Sequence, residues 1–241
     1  MTNDYWSEAA KLRVEQIESG IDKTFHCVFL PLWKNRLAVH NTNCVLEVGA
    51  GTGHLAKRIY SQCSELEVID SSAEMINVSR AVLQETNVKV IKADGKTYRP
   101  EANKKYTIIY SHMCFHTTSN LEQLVANIYN LLESNGSLLF SIPHPCFYED
   151  YKRYFADSYD YYEEMFKTVK LNISTDPERF LGEVPFFHRP LEQYTDLLFQ
   201  SNFCITGLKE LSPKKEDISD TYPLWDKPRY LFIECKKLVP T

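Results

Sequence analysis

The stretch VLEVGAGTGHLA, Val45 to Ala56, passes from an apolar, β-branched run into glycines at Gly49, Gly51 and Gly53. A strand that meets such a turn and then a helical pattern presents backbone amides at a helix N-terminus, so the question is which ligand the loop accepts. A phosphate-binding P-loop closes on Gly-Lys-Ser/Thr, and Gly53-His54-Leu55 stands here instead. A dinucleotide fingerprint wants a small residue at the sixth position from its first glycine; counted from Gly49, that position is His54. Glu47 also argues against a pyrophosphate, whose charge it would repel, and suits a cationic ligand.

The surrounding chain alternates strand-like and helix-like segments. Strands are predicted at 43–49, 65–70, 88–91, 106–111 and 137–142, with helices at 52–63, 72–85 and 119–134 between them. Such alternation implies an α/β fold, a parallel sheet with helices on both faces. Gly136 is expected as a left-handed cap after the 119–134 helix, and Pro143 as the end of the fifth strand. Two helical patterns, about 4–19 and 24–39, precede the first strand and form an N-terminal helical cap over residues 1–41. After a tyrosine-rich stretch come a helix at about 191–201, a strand near 203–210 and a last strand, RYLFIECKK. No linker divides the 241 residues, so one domain is expected, with residues 143–188 inserted as a substrate lid.

Composition narrows the function classes. Apolar residues at 44% and charged ones at 24% are ordinary for a globular protein, and the apolar runs fall short of a membrane span. The polar, acidic N-terminus lacks a signal-peptide pattern, which makes a cytoplasmic location and no membrane partner the expectation. Seven cysteines without a C-x-x-C pair read as reduced thiols rather than a disulfide or zinc framework. A net charge of −5 without a dense basic patch speaks against a nucleic-acid partner.

In open parallel sheets the ligand lies at the carboxyl ends of the strands. Asp70 ends the second strand, and a carboxylate there accepts hydrogen bonds from ribose hydroxyls, or caps the helix that follows. Met75 lies one turn into that helix, positioned for an adenine face or for the core. Asp94-Gly95 after the third strand offers an acceptor for an adenine amino group beside a backbone free to approach it, or a plain Asp-Gly turn. Four histidines fall near the same edge: His112 and His116 after the fourth strand, His144 after the fifth, and His188 before the late helix. His116 and His144 are the candidate catalytic residues. A metal held by His112 and His116 lacks an evident third ligand, and none is expected.

Together these segments resemble the class I S-adenosylmethionine-dependent methyltransferases, of the small-molecule, type 11/25-like kind. VLEVGAGTG matches their motif I, Glu-x-Gly-x-Gly-x-Gly; VIDSSAEM, KADG, YTIIYSHMCFHT and NGSLLFSIPHPCF follow in the family's order. The resemblance covers roughly residues 43–147, and FFHRPLEQYTDLLFQSNFCITGLKEL looks like the family's unit after the substrate insertion. It implies a Rossmann-like, seven-stranded, mostly parallel sheet of order 3-2-1-4-5-7-6 with the last strand antiparallel. It implies S-adenosylmethionine as cofactor, held by Glu47, Gly49, Ala50, Gly51, Gly53, Asp70, Ser71, Met75, Asp94, Gly95, Ser111 and His112. The activity implied is methyl transfer to an oxygen or nitrogen of a small-molecule acceptor, by a monomer or homodimer. An RNA or protein methyltransferase, or a non-catalytic binding module on the same fold, is the alternative. Tyr148, Tyr151 and His188 are the expected acceptor contacts. They belong to or follow an aromatic, acidic segment, Phe147 to Phe166, that would favour an amine through cation–π contact.

Overall fold

The computed structural model describes residues 6–7, 9–148 and 150–239. In chain order the elements are α1 (Ala9–Glu18), α2 (Leu30–Leu37), β1 (Cys44–Val48), α3 (His54–Ile59), β2 (Glu65–Asp70), α4 (Ala73–Val82), β3 (Lys89–Lys92) and β4 (Tyr106–His112). There follow α5 (Leu121–Leu131), β5 (Leu132–Pro143), α6 (Asp150–Phe155), β6 (Met165–Lys170), β7 (Glu183–His188), α7 (Leu191–Gln200), β8 (Phe203–Leu211) and β9 (Tyr230–Lys237). Seven strands form one sheet in the order β3-β2-β1-β4-β5-β9-β8. β1 to β5 run parallel, and β9 lies antiparallel between β5 and β8. This is the Rossmann-like order expected, with the chain's final strand reversed.

Both faces of the sheet are buried, and the period-2 rule sorts its side chains. Leu46, Ile109, Leu138, Phe140 and Ile233 turn toward α5 and α7, whereas Val45, Ile108, Tyr110, Leu139 and Phe232 turn toward α2 and α3. The helices answer with apolar stripes: Leu121, Leu124, Val125 and Ile128 recur on one face of α5 and are buried there. Asn120 starts that helix by accepting the Gln123 N–H at 3.0 Å.

Two expectations change, for the second helix and for Gly136. The first helix is described only from Ala9, and Asp4, Tyr5 and Glu8 of its expected span lie outside the described residues. The second is a single π-helical turn, Phe25–Phe29, running into α2. Pro31, which has no N–H to give the preceding turn, sits at the start of α2, where that donor is not required. Gly136 is not the left-handed residue after α5. α5 ends instead on an extended Leu132, and the left-handed residue is Asn135 within β5, at φ 62°; a Cβ at Gly136 would crowd the Glu133 carbonyl oxygen at 3.0 Å. Residues 143–188 also contain elements that the sequence pattern does not reveal, the antiparallel pair β6–β7, which forms a separate two-stranded sheet.

Phe140 of β5 is fully buried and stacks on Phe115 at 4.5 Å between ring centres, fixing the turn that carries His116. Phe140→Ala is expected to lower the unfolding free energy by about 3–5 kcal/mol in urea titrations. A loss under about 1 kcal/mol would show that this stack does not anchor the turn.

Candidate active site

The loop after β1 is held by its own backbone. The amides of Gly49 and Ala50 donate to the Ile69 carbonyl at 2.9 and 3.0 Å, which fastens the turn to β2. Gly49, Gly51 and Gly53 all have positive φ, at 75°, 54° and 77°. At Gly49 a Cβ would lie 2.4 Å from Cys114 Sγ, and at Gly53 2.5 Å from Ser79 Oγ, so these two glycines serve packing. Around Gly51 the nearest atom to such a Cβ is Met75 Sδ at 4.0 Å; this glycine leaves an open cradle.

Asp70 closes the loop from the side. Its Oδ2 accepts the Gly51 N–H at 2.8 Å and its Oδ1 the Ser72 N–H at 2.9 Å. Ser72, not Asp70, caps α4, taking the Met75 N–H at 3.3 Å.

A cavity of about 1200 Å³ opens at the carboxyl ends of β1 to β5, where Val48, Asp70, Lys92, His112 and Pro143 all reach its wall. On the loop side Glu47, Gly49, Ala50 and Gly51 line it, with Ser71 and Met75 beyond Asp70 and with Asp94 and Gly95 after β3. On the far side lie His112, His116 and Tyr148. Gly53 and Ser111 stay behind the wall; the Ser111 hydroxyl donates to the Val48 carbonyl at 2.9 Å and so joins β4 to β1.

Besides Gly53 and Ser111, three expected catalytic or acceptor contacts are not brought to the cavity. His144 turns away, its Nε2 3.1 Å from Glu210 Oε1 and its ring against Phe147. His188 is fully buried in the insertion, with Nε2 2.9 Å from the Tyr161 carbonyl, and Tyr151 packs on its ring at 4.5 Å. The aromatic residues of the insertion mostly cover one another: Tyr151, Tyr154, Phe155, Val169, Val184 and Phe186 form a small core of their own. Only Tyr148 and Phe186 of this aromatic set reach the cavity wall, so the segment is less a binding surface than its composition suggests. Two of its acids are matched by arginines: Glu164 pairs with Arg189 at 3.0 Å and Asp150 with Arg153 at 3.1 Å.

Arg189 ties this insertion to the site. Nearly fully buried, it donates to the carbonyls of Phe115 at 3.2 Å and Thr118 at 2.8 Å, on either side of His116. Sequence reading missed it, and it also missed Arg13, Asp22, Phe25 and Phe29 from the N-terminal cap and Arg229 and Tyr230 before and within β9, all of which line the cavity. Phe25 and Phe29 carried a signal, aromatic residues one helical turn apart beside the first strand. Arg229 carried none.

Burial dominates the electrostatics. Glu47 is pushed up to about 8 by its burial and by the Asp70 charge, against the Tyr110 hydroxyl that donates to it at 2.9 Å. His112 is held down to about 3 by burial and the nearby Arg13, and His116 to about 3 by burial and Arg189. Both imidazoles are therefore neutral near pH 7 in the free protein. The Cys114 thiol is pushed up to about 11 by burial and by Asp70. No group of three or more His, Cys, Asp or Glu side chains among the described residues could hold a metal ion.

A family model described as a methyltransferase domain matches residues 45–136, the loop, β2 to β4 and α5. Over that stretch the chain is similar to S-adenosylmethionine-dependent methyltransferases. Among curated relatives, malonyl-[acyl-carrier protein] O-methyltransferase 1 of Ilyobacter polytropus is 32% identical over 100 residues, 40% of this chain and 37% of that one. The chain spans about half the length or less of the curated relatives it matches. An S-adenosylmethionine-dependent methyltransferase from Mesorhizobium loti superimposes with a TM-score of 0.61 at 17% identity, covering 84% of this chain and 95% of the other. A glycopeptide N-methyltransferase complexed with S-adenosylmethionine does so at 0.60 and 13%, over 88% and 92%. These two carry the fold. The matched family stretch ends before Tyr148, Arg153 and Arg229, which line the far half of the cavity.

Because Glu47 is protonated in the fold up to about pH 8 and ionised near 4.5 when unfolded, its contribution is complete below about 4.5 and is lost as pH rises through 8. Between pH 7 and 8 the histidines, whose folded values are lowered, have already made their opposite contribution. Stability should fall there by up to about 1.4 kcal/mol per pH unit, and Glu47→Gln should flatten the slope. Equal slopes in urea unfolding of the two proteins would place Glu47 in the ionised state.

Proposed function

We propose that this chain transfers the methyl group of S-adenosylmethionine to an oxygen or nitrogen nucleophile of a small molecule. One observation carries the reading: a single cavity joins the open cradle at Gly51 to the wall formed by Tyr148, Phe186 and His116. Single-ligand pockets run to about 300–1,000 Å³, and at about 1200 Å³ this one has room for a donor and an acceptor together.

The residues present fit the donor. Gly51 leaves space where any side chain would intrude, and Asp70 directs a half-buried carboxylate to the same side. Asp70 would accept the ribose hydroxyls, Asp94 the adenine amino group, and Glu47 would lie near the cationic end. When bound, the sulfonium supplies an electrophilic methyl group. The protein's task is then alignment of the acceptor with that carbon, which contributes about 7–11 kcal/mol in favourable cases. His116 would orient the acceptor rather than take its proton, since the buried ring is a weak base. Residues 143–188 would act as the cover, with α6 and β7 forming the outer wall of the acceptor half. The O-methyltransferase names among the relatives support an oxygen acceptor.

S-adenosylmethionine and S-adenosylhomocysteine should raise the melting temperature and NAD should not, because only ligands of the native state stabilise it. Asp70→Ala should weaken donor binding by about 1–3 kcal/mol in calorimetry while the variant stays folded. Stabilisation by NAD equal to that by the donor would overturn the cofactor reading.

The cover is checked separately by hydrogen exchange. Amides between Tyr151 and Glu183 should exchange faster than those of Val45 to Val48 in the free protein and slow when both ligands are bound. Protection equal to that of β1 without ligand would make the insertion fixed structure.

A further inference from the structure

Resting on the methyl-transfer reading above, we infer that the acceptor is a small carboxylate and that Arg229 is the residue that selects it. Three arginines line the cavity, and two are already matched: Arg13 is 2.8 Å from Asp22, and Arg153 is 3.1 Å from Asp150. Arg229 has no carboxylate within ion-pair reach among the described residues. Its guanidinium carbon lies over the Trp225 ring at 5.1 Å, a contact with a π-face that does not itself use the N–H donors. Their planar edge is the shape that grips a carboxylate with two parallel hydrogen bonds.

The walls around it are aromatic. Tyr230, the next residue, packs on Phe29 at 4.8 Å and faces Tyr148 at 6.0 Å. Phe29 in turn meets His112 at 4.4 Å, and Phe186 meets His116 at 5.0 Å. His116 makes the second, independent argument. It is 3% exposed, and its Nδ1 is buried with no hydrogen-bond partner among the described residues. A buried imidazole nitrogen without a partner costs free energy until a ligand completes it. Being neutral, the ring offers one N–H to an anion and has little capacity to take a proton.

Other acceptor classes fit these groups less well. An ammonium would meet the unmatched Arg229 charge and would need a base, and a phenol would need a base as well. Among the described residues the acids that line the cavity do not alter the balance, since Asp150 and Asp22 each have an arginine, while Glu47, Asp70 and Asp94 stand in the donor half. A carboxylate arrives with its lone pair already free. One of its oxygens bonds to the methyl carbon as the carbon–sulfur bond breaks and that electron pair passes to sulfur. The products are a neutral methyl ester and S-adenosylhomocysteine, with no proton to remove from the nucleophile.

Calorimetric titration of the protein saturated with S-adenosylhomocysteine should show phenylacetate binding about tenfold or more tighter than phenylacetamide. Arg229→Gln should erase that preference without weakening S-adenosylhomocysteine, and Arg229→Lys should restore part of it. With a methyl-tritiated donor and the low-molecular-weight fraction of a cell extract, the incorporated label should be released by alkali as volatile methanol, as a methyl ester requires. Equal binding of acid and amide, an unaltered preference in Arg229→Gln, or alkali-stable label would each overturn the carboxylate assignment. A protein that fails to bind S-adenosylhomocysteine at all would instead overturn the methyl-transfer reading on which it rests.

Discussion

The Asp70 carboxylate, accepting the amides of Gly51 and Ser72 together, is the contact on which the site is organised. It joins the end of β2 to the loop after β1, fixes the left-handed turn at Gly51, and sets the start of α4. A charged acceptor shared by two backbone donors is stronger than either bond between neutral groups. Because the same carboxylate stands at the cavity wall, the group that shapes the loop is also the one a bound ribose would meet.

On the opposite side the chain solves a different problem. The acceptor wall is assembled from distant pieces, the π-helical turn at Phe25–Phe29, the turn at Phe115–Thr117, the insertion, and the segment entering β9. Arg189 supplies the rigidity. Its buried guanidinium binds the carbonyls of Phe115 and Thr118 and pairs with Glu164, so the insertion and the His116 turn share one anchor. Removing such a residue would leave carbonyls and a carboxylate without their donor, a cost of several kcal/mol. The donor half thus depends on local backbone geometry, and the acceptor half on long-range side-chain contacts.

This division explains the electrostatic asymmetry. Acids gather where a cationic donor would lie, with Glu47, Asp70 and Asp94 at or after the strand ends, while the acceptor half has Arg153 beside Asp150 and Arg229, which pairs with no carboxylate among the described residues. Sequence composition had pointed the other way, toward an amine, because the insertion is rich in acids. Among the described residues, Asp150 pairs with Arg153, and Glu164 meets Arg189 and Gln193.

The sequence by itself determined the sheet and the donor loop. Alternation of short apolar runs with helical stripes left one economical arrangement, and glycines at Gly49, Gly51 and Gly53 are tied to positive φ that other residues adopt only under strain. Both signals are local, since each depends on residues within a turn or two of one another. Tertiary structure alone decided that His144 faces Glu210, that Tyr151 and His188 fill a core within the insertion, and that Asn135 rather than Gly136 turns left-handed. It alone brought Arg13, Phe29 and Arg229 to one cavity from opposite ends of the chain. Their meeting depends on how helices and loops stack over the completed sheet, and no spacing along the sequence encodes the direction in which a side chain points once that stacking is made.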